Sequence, residues 1–530
     1  MSVPEAMMTR VAALSALQQK GRMVVKAGGK QIALFQRGDR LLACNNRCPH
    51  EGYPLSEGTL DAGDGCVLTC NWHNWKFDLE DGGNLSGGDR LRIYPVELRG
   101  GEIWLDLADP PAEQAIEGAL ANLHDAFPRH EYDRMMREIG RLIKAGGDPV
   151  EALRRAIDWT YDRMEWGDSH AAAAAADWLL LHDDVAWDEP SRLTAIAEAV
   201  GHFAWDSRRE PRFAFAEDVA DFRPDALVAG IEAEDEVAAT AQVRGAYAAG
   251  LSYDDLVEPL ARAALGHYAG FGHAAIYVHK FGALIGRLGG DSALPLTLLL
   301  VRNIVNARRE DMIPEFRRYG DALAAWSGDG GSPARTEDFI GASVNKALDL
   351  AVAASGDSAG LYDALLGATA WNLLHFDLAF QESTAGPVSQ NVNWLDFTHG
   401  ITFANAVRRL CERVPSLWPQ GLLQMACFVG RNKAFVDPTL DEAAWRPADP
   451  AGYANAARRQ VFDHGQFEYI VSAHLVKTAC AVHDEIGAAP EAPWVPVLAA
   501  ALNRFLNSPL KRKHTLRTAR QSLDFVAAEG

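Results

Sequence analysis

Hydrophobic and polar positions alternate with a period of two only in the front of the chain. From about Arg22 to Leu107 the runs read RMVVKA, QIALFQ and LLAC, then CVLTC, WKFD, YPVEL and EIWLDL. Glycine and aspartate punctuate them, as in GGK, RGDR and RGG. Alternating runs of this length bounded by turn residues predict short antiparallel strands joined by hairpins. The stretch ADPPAEQ then carries two prolines and no period, which predicts a linker over 109–114. From about Ala115 apolar residues recur at three and four instead, in LRRAIDWTYDRM, AAAAAADWLLL, LVEPLARAAL, AAIYVHKFGALIGRL and ITFANAVRRLCERV. That spacing predicts amphipathic and buried helices, with strands scarce and no fixed-period repeat. The predicted architecture is an α+β multidomain chain. A small antiparallel β-domain spans 1–108, and a large all-α domain spans 115–530.

Composition narrows the function classes. With 48% hydrophobic residues a packed core is expected and wholesale disorder is excluded. Lys and Arg number 51 against 71 Asp and Glu, a formal charge of −20. Such a surface repels phosphate backbones and anionic lipid, so neither nucleic acid nor a membrane is an expected partner. The longest apolar runs, such as Leu294–Val301, fall far short of the ~20 residues that cross a bilayer. MSVPEAMMTR has no secretory pattern, and seven cysteines in 530 residues do not make a disulfide framework. A cytoplasmic protein is the expectation.

Chemistry concentrates first in two short motifs. Cys48-Pro49-His50 and Cys70-Asn71-Trp72-His73 each follow a strand-like run, with 19 residues between His50 and Cys70. Two thiolates can hold one iron of a [2Fe–2S] cluster while two neutral imidazoles hold the other, which eases reduction by lowering the negative charge around it. A zinc ribbon also uses cysteine and histidine pairs, but favours C-x2-C or H-x3–5-H spacing. Cys44 and Cys66 lie on strand-like stretches and are expected to be small buried side chains.

The segment CPHEGYPLSEG…CNWHNWKFDLEDGG resembles the Rieske domains of bacterial ring-hydroxylating oxygenases and Rieske ferredoxins, over about residues 20–108. The resemblance implies a Rieske [2Fe–2S] cluster on Cys48, His50, Cys70 and His73. Respiratory Rieske proteins carry an extra cysteine in each cluster loop. Here Gly52, Tyr53 and Asn71 occupy such loop positions, so the oxygenase or ferredoxin kind fits better.

A domain that only moves electrons implies an acceptor. The 16 histidines contain no H-x4-H pair of the usual mononuclear iron partner, and the E-x-x-H motif of carboxylate-bridged diiron bundles is missing too. Histidines do stand on apolar helical stretches: His170, His267, His273, His279, His399 and His474. His474 and Lys477 share a helix face, as do His273, Tyr277 and Lys280. Taken singly, a histidine on such a face is more often a hydrogen-bonded core residue. His182, His375 and His483, next to acidic residues, fit capping or ion pairing.

The motifs SHAAAAAADWLL, GHAAIYVHKF, HGITFANAVRRL and AHLVKTACAVHDE are similar in order and spacing to the questin oxidase-like family, helical non-heme iron oxygenases of aromatic polyketide ring cleavage. That resemblance implies one iron held by His170, His273, His399, His474 and a carboxylated Lys477, with His267 as the alternative to His273. A buried lysine loses its charge readily, and its neutral amine adds carbon dioxide to give an anionic oxygen ligand.

Together these observations predict an O2-dependent oxidoreductase. The [2Fe–2S] cluster would pass electrons to a mononuclear Fe(II), and the resemblance to the questin oxidase-like family implies an aromatic or polycyclic natural product as the substrate. Tyr268, Phe271, Tyr277, Trp394, Phe397 and Phe403 are candidates to line its pocket. No GxGxxG follows a strand, so electrons are expected from an external reductase or ferredoxin, and association into a homo-oligomer is expected. Two alternatives remain at this point. One is a tethered Rieske electron carrier whose helical half binds a partner. The other is a histidine/aspartate diiron oxygenase using His182-Asp183 and His483-Asp484.

Overall fold

A computed structural model of the chain describes residues 8–61, 65–167, 169–510 and 514–529. A small antiparallel-sheet domain is followed by a large helical region. The backbone separates into two compact units, one ending at Asp148 and the other beginning at Pro149.

The first unit contains β1 (Met8–Ala13), β2 (Arg22–Ala27), β3 (Lys30–Arg37), β4 (Arg40–Asn45), β5 (Thr59–Leu60), β6 (Val67–Thr69), β7 (Lys76–Asp78), β8 (Asn84–Ser86), β9 (Val96–Arg99) and β10 (Glu102–Asp106). They form three antiparallel sheets, ordered β1-β10-β9, β2-β3-β4 and β5-β6-β7-β8. Ala27 pairs with Lys30 across Gly28 and Gly29, which have φ of 54° and 73°. Two consecutive left-handed residues make the hairpin turn whose twist matches the strands, and glycine adopts it without a Cβ clash. The sheets enclose two cores, and β3 serves both. Ile32 and Leu34 pack with Ala43, Ile103 and Leu105, whereas Ala33 and Phe35 pack with Leu68 and Phe77. Burial on both faces explains why QIALFQ reads as a continuous apolar run rather than a strict alternation.

Two helices, Ala112–Ala126 and Tyr132–Lys144, group with this β-fold, so the compact unit runs past the linker predicted at 109–114. Charge ties them there. Asp89 is fully buried, and its carboxylate receives Arg137 at 2.6 Å and Arg141 at 2.7 Å, both from the second helix.

The second unit is helical, and four of its long helices carry the site. They are α1 (His170–Asp183), α2 (His273–Leu288), α3 (Trp394–Arg413) and α4 (Tyr469–Ala488). α1 packs on α2, α2 on α3, α3 on α4 and α4 back on α1, closing a ring. Ala171 to Ala176 are all buried, and these small side chains let neighbouring helices approach α1 closely. Ser169 caps α1 through its side chain, and Asn393 with Asp396 forms a capping box on α3. Among the described residues no helix is long and apolar enough to cross a membrane.

Candidate metal centres

The two cysteine–histidine loops of the first unit repeat one backbone design. Cys48 N–H donates to the Tyr53 carbonyl at 2.9 Å, and Gly52 N–H returns to the Cys48 carbonyl at 2.8 Å. Cys70 N–H likewise donates to the Trp75 carbonyl at 2.7 Å, and Asn74 N–H to the Cys70 carbonyl at 2.9 Å. The fourth residue after each cysteine must therefore turn left-handed. Gly52 does so at φ 79° and Asn74 at φ 61°, glycine and asparagine being the residues that tolerate it best.

These loops point thiols inward and imidazoles outward. Cys48 and Cys70 are buried beside Phe35, Leu68 and Phe77, and their thiols touch one another. Burial pushes the Cys48 thiol up to about 11, so a thiolate there needs a positive neighbour such as iron. The His50 and His73 ring centres lie 4.7 Å apart, with His50 stacked on Trp75 at 4.4 Å and His73 on Trp72 at 5.0 Å. His50 Nδ1 is buried with no hydrogen-bond partner among the described residues. An orphaned imidazole nitrogen beside paired buried thiols is the donor set that a mixed Cys2His2 iron–sulfur cluster requires. Cys44 and Cys66 are buried in the same core as free thiols.

Residues 7–92 match the Rieske [2Fe-2S] domain family. The 3-phenylpropionate/cinnamic acid dioxygenase ferredoxin subunit of Escherichia coli K12 is 39% identical over 80 residues, which is 15% of this chain and 74% of that subunit. The chain belongs to the Rieske [2Fe–2S] family. Its Rieske domain implies a [2Fe–2S] cluster and has relatives in oxygenase systems. The 4beta-methylsterol monooxygenase of Methylococcus capsulatus is 38% identical over 98 residues, 16% of this chain and only 26% of that enzyme. Among solved structures, the ferredoxin of carbazole 1,9a-dioxygenase from Nocardioides aromaticivorans IC177 matches at 27% identity with a TM-score of 0.18, covering 18% of this chain and 95% of that one.

The helical unit holds a second constellation, separate in kind from the Rieske loops. His170 and His273 are the first residues of α1 and α2, and His399 and His474 each lie one and a half turns into α3 and α4. Their Nε2 atoms converge. His170 to His273 is 3.2 Å, His273 to His399 is 2.9 Å, and His399 to His474 is 3.2 Å.

Tautomers follow from the other ring nitrogens. Nδ1 of His273 meets the Gly270 carbonyl, Nδ1 of His399 the Leu395 carbonyl, and Nδ1 of His474 the Ile470 carbonyl, each at 2.6 Å. A carbonyl only accepts, so each of these Nδ1 atoms carries the proton and each Nε2 presents a lone pair. Nδ1 of His170 faces the Tyr277 hydroxyl at 3.4 Å. Lone pairs facing one another at ~3 Å repel unless a cation lies between them. Nitrogens bound at ~2.1 Å stand ~3.0 Å apart at right angles and ~3.4 Å apart at the tetrahedral angle, so these separations suit a metal. Burial, Lys477 and the neighbouring imidazoles hold His170 well below the usual histidine range; burial and the neighbours do the same for His399 and His474. Neutral rings are what a metal needs.

Lys477 lies one turn beyond His474 and is fully buried. Lys280 on α2 pairs with Asp177 on α1 at 2.7 Å. His267 stands outside the cage, with Glu232 at 2.8 Å and Asp311 at 3.3 Å, so of the two histidines in GHYAGFGH only His273 reaches it. Burial, with Lys280 and Arg409 nearby, pushes His279 down to about 3 against the opposing pull of Asp484. The His182-Asp183 and His483-Asp484 pairs do not converge. His182 Nδ1 meets the Arg192 carbonyl, Asp183 binds Arg287, and Asp484 binds Arg408 and Arg409.

The backbone leading into α2 is strained where it delivers His273. Gly270, Phe271 and Gly272 have φ of 58°, 50° and 79° in succession. The Phe271 ring stands 5.2 Å from His399 and edge-on to it. A Cβ on Gly272 would lie 2.7 Å from the Phe403 ring, so only glycine fits this approach.

Of the aromatic residues expected to line a pocket, Phe271 and Tyr277 touch the histidines. Tyr268, in the bend before Ala269, and Trp394, Phe397 and Phe403 on α3 are fully buried core. The cavity next to His170 is instead bounded by His202, Trp205, Asp206, Phe467 and Tyr469. The sequence did signal part of it: His202 and Asp206 are spaced i,i+4 on an apolar helix.

Proposed function

We propose that the chain is a Rieske-coupled non-heme iron oxygenase. Cys48, His50, Cys70 and His73 hold the [2Fe–2S] cluster, and His170, His273, His399 and His474 hold a mononuclear iron with Lys477 beside it. Iron held there supplies O2 activation with electrons that the cluster delivers singly. The observation that carries this reading is the convergence of the imidazole Nε2 atoms at 2.9–3.2 Å, with three of the four Nδ1 atoms fixed by backbone carbonyls.

The chain's own residues account for the rest. Gly270, Leu395 and Ile470 carbonyls fix ring orientation and raise the donor strength of the opposite nitrogens. Four neutral imidazoles leave a ferrous ion's charge uncompensated, and the resemblance of this half to the questin oxidase-like family points to a carboxylated Lys477 as the anionic ligand. The amine adds carbon dioxide and releases one proton, turning a buried base into a carbamate. The exposed His73 edge is where electrons enter and leave the Rieske domain. An external reductase or ferredoxin supplies them, and the substrate is an aromatic or polycyclic small molecule.

Iron and sulfide quantitation on anaerobically purified protein tests the proposal. It predicts about three irons and about two acid-labile sulfides per chain. Two irons with full oxygen consumption would remove the helical site.

A further inference from the structure

The main-chain carbonyls that fix the cage imidazoles are not equally secure. Leu395 and Ile470 lie inside the first turns of α3 and α4, so helical hydrogen bonding holds the carbonyls that His399 and His474 use. His273 is the first residue of α2, and its acceptor, the Gly270 carbonyl, belongs to the chain before that helix. This stretch runs left-handed through Gly270, Phe271 and Gly272, at φ of 58°, 50° and 79°. A left-handed phenylalanine persists only where its surroundings impose that backbone.

The segment Arg308–Asp311 imposes it. Gly270 N–H donates to the Arg308 carbonyl at 2.7 Å and Asp311 N–H to the Tyr268 carbonyl at 3.0 Å, flanking a bridge between Ala269 and Arg309. Glu310 adds a side-chain bond, its Oε2 accepting from Phe271 N–H at 3.2 Å. The Phe271 ring is pinned as well, edge-on to Phe428 at 5.0 Å and with the Arg431 guanidinium 4.9 Å over its face. Arg431 is in turn tied to Asp396 on α3 at 2.9 Å.

The Gly270 carbonyl and the Phe271 N–H are the two ends of one peptide group, which is planar and stiff. Glu310 holds one end at 3.2 Å, and the other end receives His273 Nδ1–H at 2.6 Å. Rotation of that plane breaks both bonds together.

We infer that Glu310 is a positioning residue for His273, acting through the Gly270–Phe271 peptide: its oxygen fixes the peptide plane, and the plane aims the imidazole into the cage. The helices do the same for His399 and His474, which need no such side chain. The inference rests on the oxygenase reading above, in which His273 Nε2 binds iron, and adds the outer residue that aims this ligand. It assigns the effect to the reach of the acceptor oxygen and not to its charge.

Three variants of the full-length, cluster-bearing protein separate reach from charge. Glu310→Gln keeps an oxygen at the same reach without the charge, Glu310→Asp keeps the charge one methylene short, and Glu310→Ala removes both. Ferrous iron affinity, measured anaerobically against a competing chelator, is expected to match wild type in Glu310→Gln. It is expected to fall about tenfold or more in the other two, with the spectrum of the reduced cluster unchanged. Hydrogen-exchange mass spectrometry should show faster exchange over residues 268–274 in those two variants alone. A general loss of packing would not spare the glutamine while harming the aspartate. Equal affinity in all three variants, or an aspartate variant that behaves as wild type, overturns the inference. With about three irons in the wild-type chain, that result leaves the oxygenase reading standing. A wild-type chain that takes up only the cluster irons sinks the oxygenase reading instead, and the exchange pattern alone then decides whether Glu310 sets the peptide plane.

Discussion

The Nε2 atoms of His273 and His399 stand 2.9 Å apart, while the Nδ1 of each ring is held at 2.6 Å by a main-chain carbonyl. The two lone pairs have no proton to share, and the rings cannot turn away without giving up those carbonyls. A cation between them removes the conflict. His399→Ala is therefore expected to lower iron from about three to about two per chain while sulfide and the spectrum of the reduced cluster stay unchanged. Inductively coupled plasma analysis beside electron paramagnetic resonance measures both. Loss of cluster signal in this variant would mean the two sites do not fold independently.

Lys477 is tested by removing its amine. Lys477→Met keeps the volume and the apolar contacts, and is expected to lower substrate-dependent oxygen consumption by about tenfold or more with the Rieske spectrum intact. Intact-protein or peptide mass spectrometry of the wild type at neutral pH should find one added CO2 at Lys477. Partial recovery of Lys477→Ala by added formate or acetate would identify the missing group as an anionic oxygen ligand.

Gly272→Ala places a Cβ 2.7 Å from the Phe403 ring, on a residue with φ of 79°. Left-handed strain and the contact together predict a loss of about 1–3 kcal/mol, read as a lower thermal midpoint. Because His273 is the next residue, iron retention in the helical unit should fall more than overall stability.

Asp89 links acidity to the first unit. Burial alone would raise its carboxyl, but hydrogen bonding and charge from Arg137 and Arg141 hold it below the ordinary 3.8. A carboxyl so depressed stabilises the fold above that ordinary value and loses the contribution as pH falls through the lower, folded value. Helices Ala112–Ala126 and Tyr132–Lys144 should accordingly lose hydrogen-exchange protection in acid below about pH 4 before the sheets do. Asp89→Asn should show that loss at neutral pH.

What could be read from the chain and what could not divide along sequence separation. Cys48, His50, Cys70 and His73 sit in two short loops whose turn residues, Gly52 and Asn74, are local, so motif and geometry are both legible. β1 (Met8–Ala13) escapes because its partner β10 lies some ninety residues away and MTRVAA has no turn beside it. The histidine cage draws one residue from each of four helices spread between 170 and 474, and the carbonyls that fix the rings become visible only when the helices are built. His202 and Asp206 carry a legible i,i+4 spacing, but nothing along the chain says that Phe467 and Tyr469 will close over them. The aromatic residues near the histidine motifs misled for the same reason. Proximity in sequence put Trp394 and Phe397 beside His399, and helix rotation turns them into the core.

Anomalous scattering at the iron edge tests the central claim most directly, since it locates iron without any assumption about ligands. The account predicts two separate features per chain, one between the Cys48/His50 and Cys70/His73 loops and one enclosed by His170, His273, His399 and His474. A map from active, fully loaded crystals with signal only at the cysteine-bearing loops would contradict it.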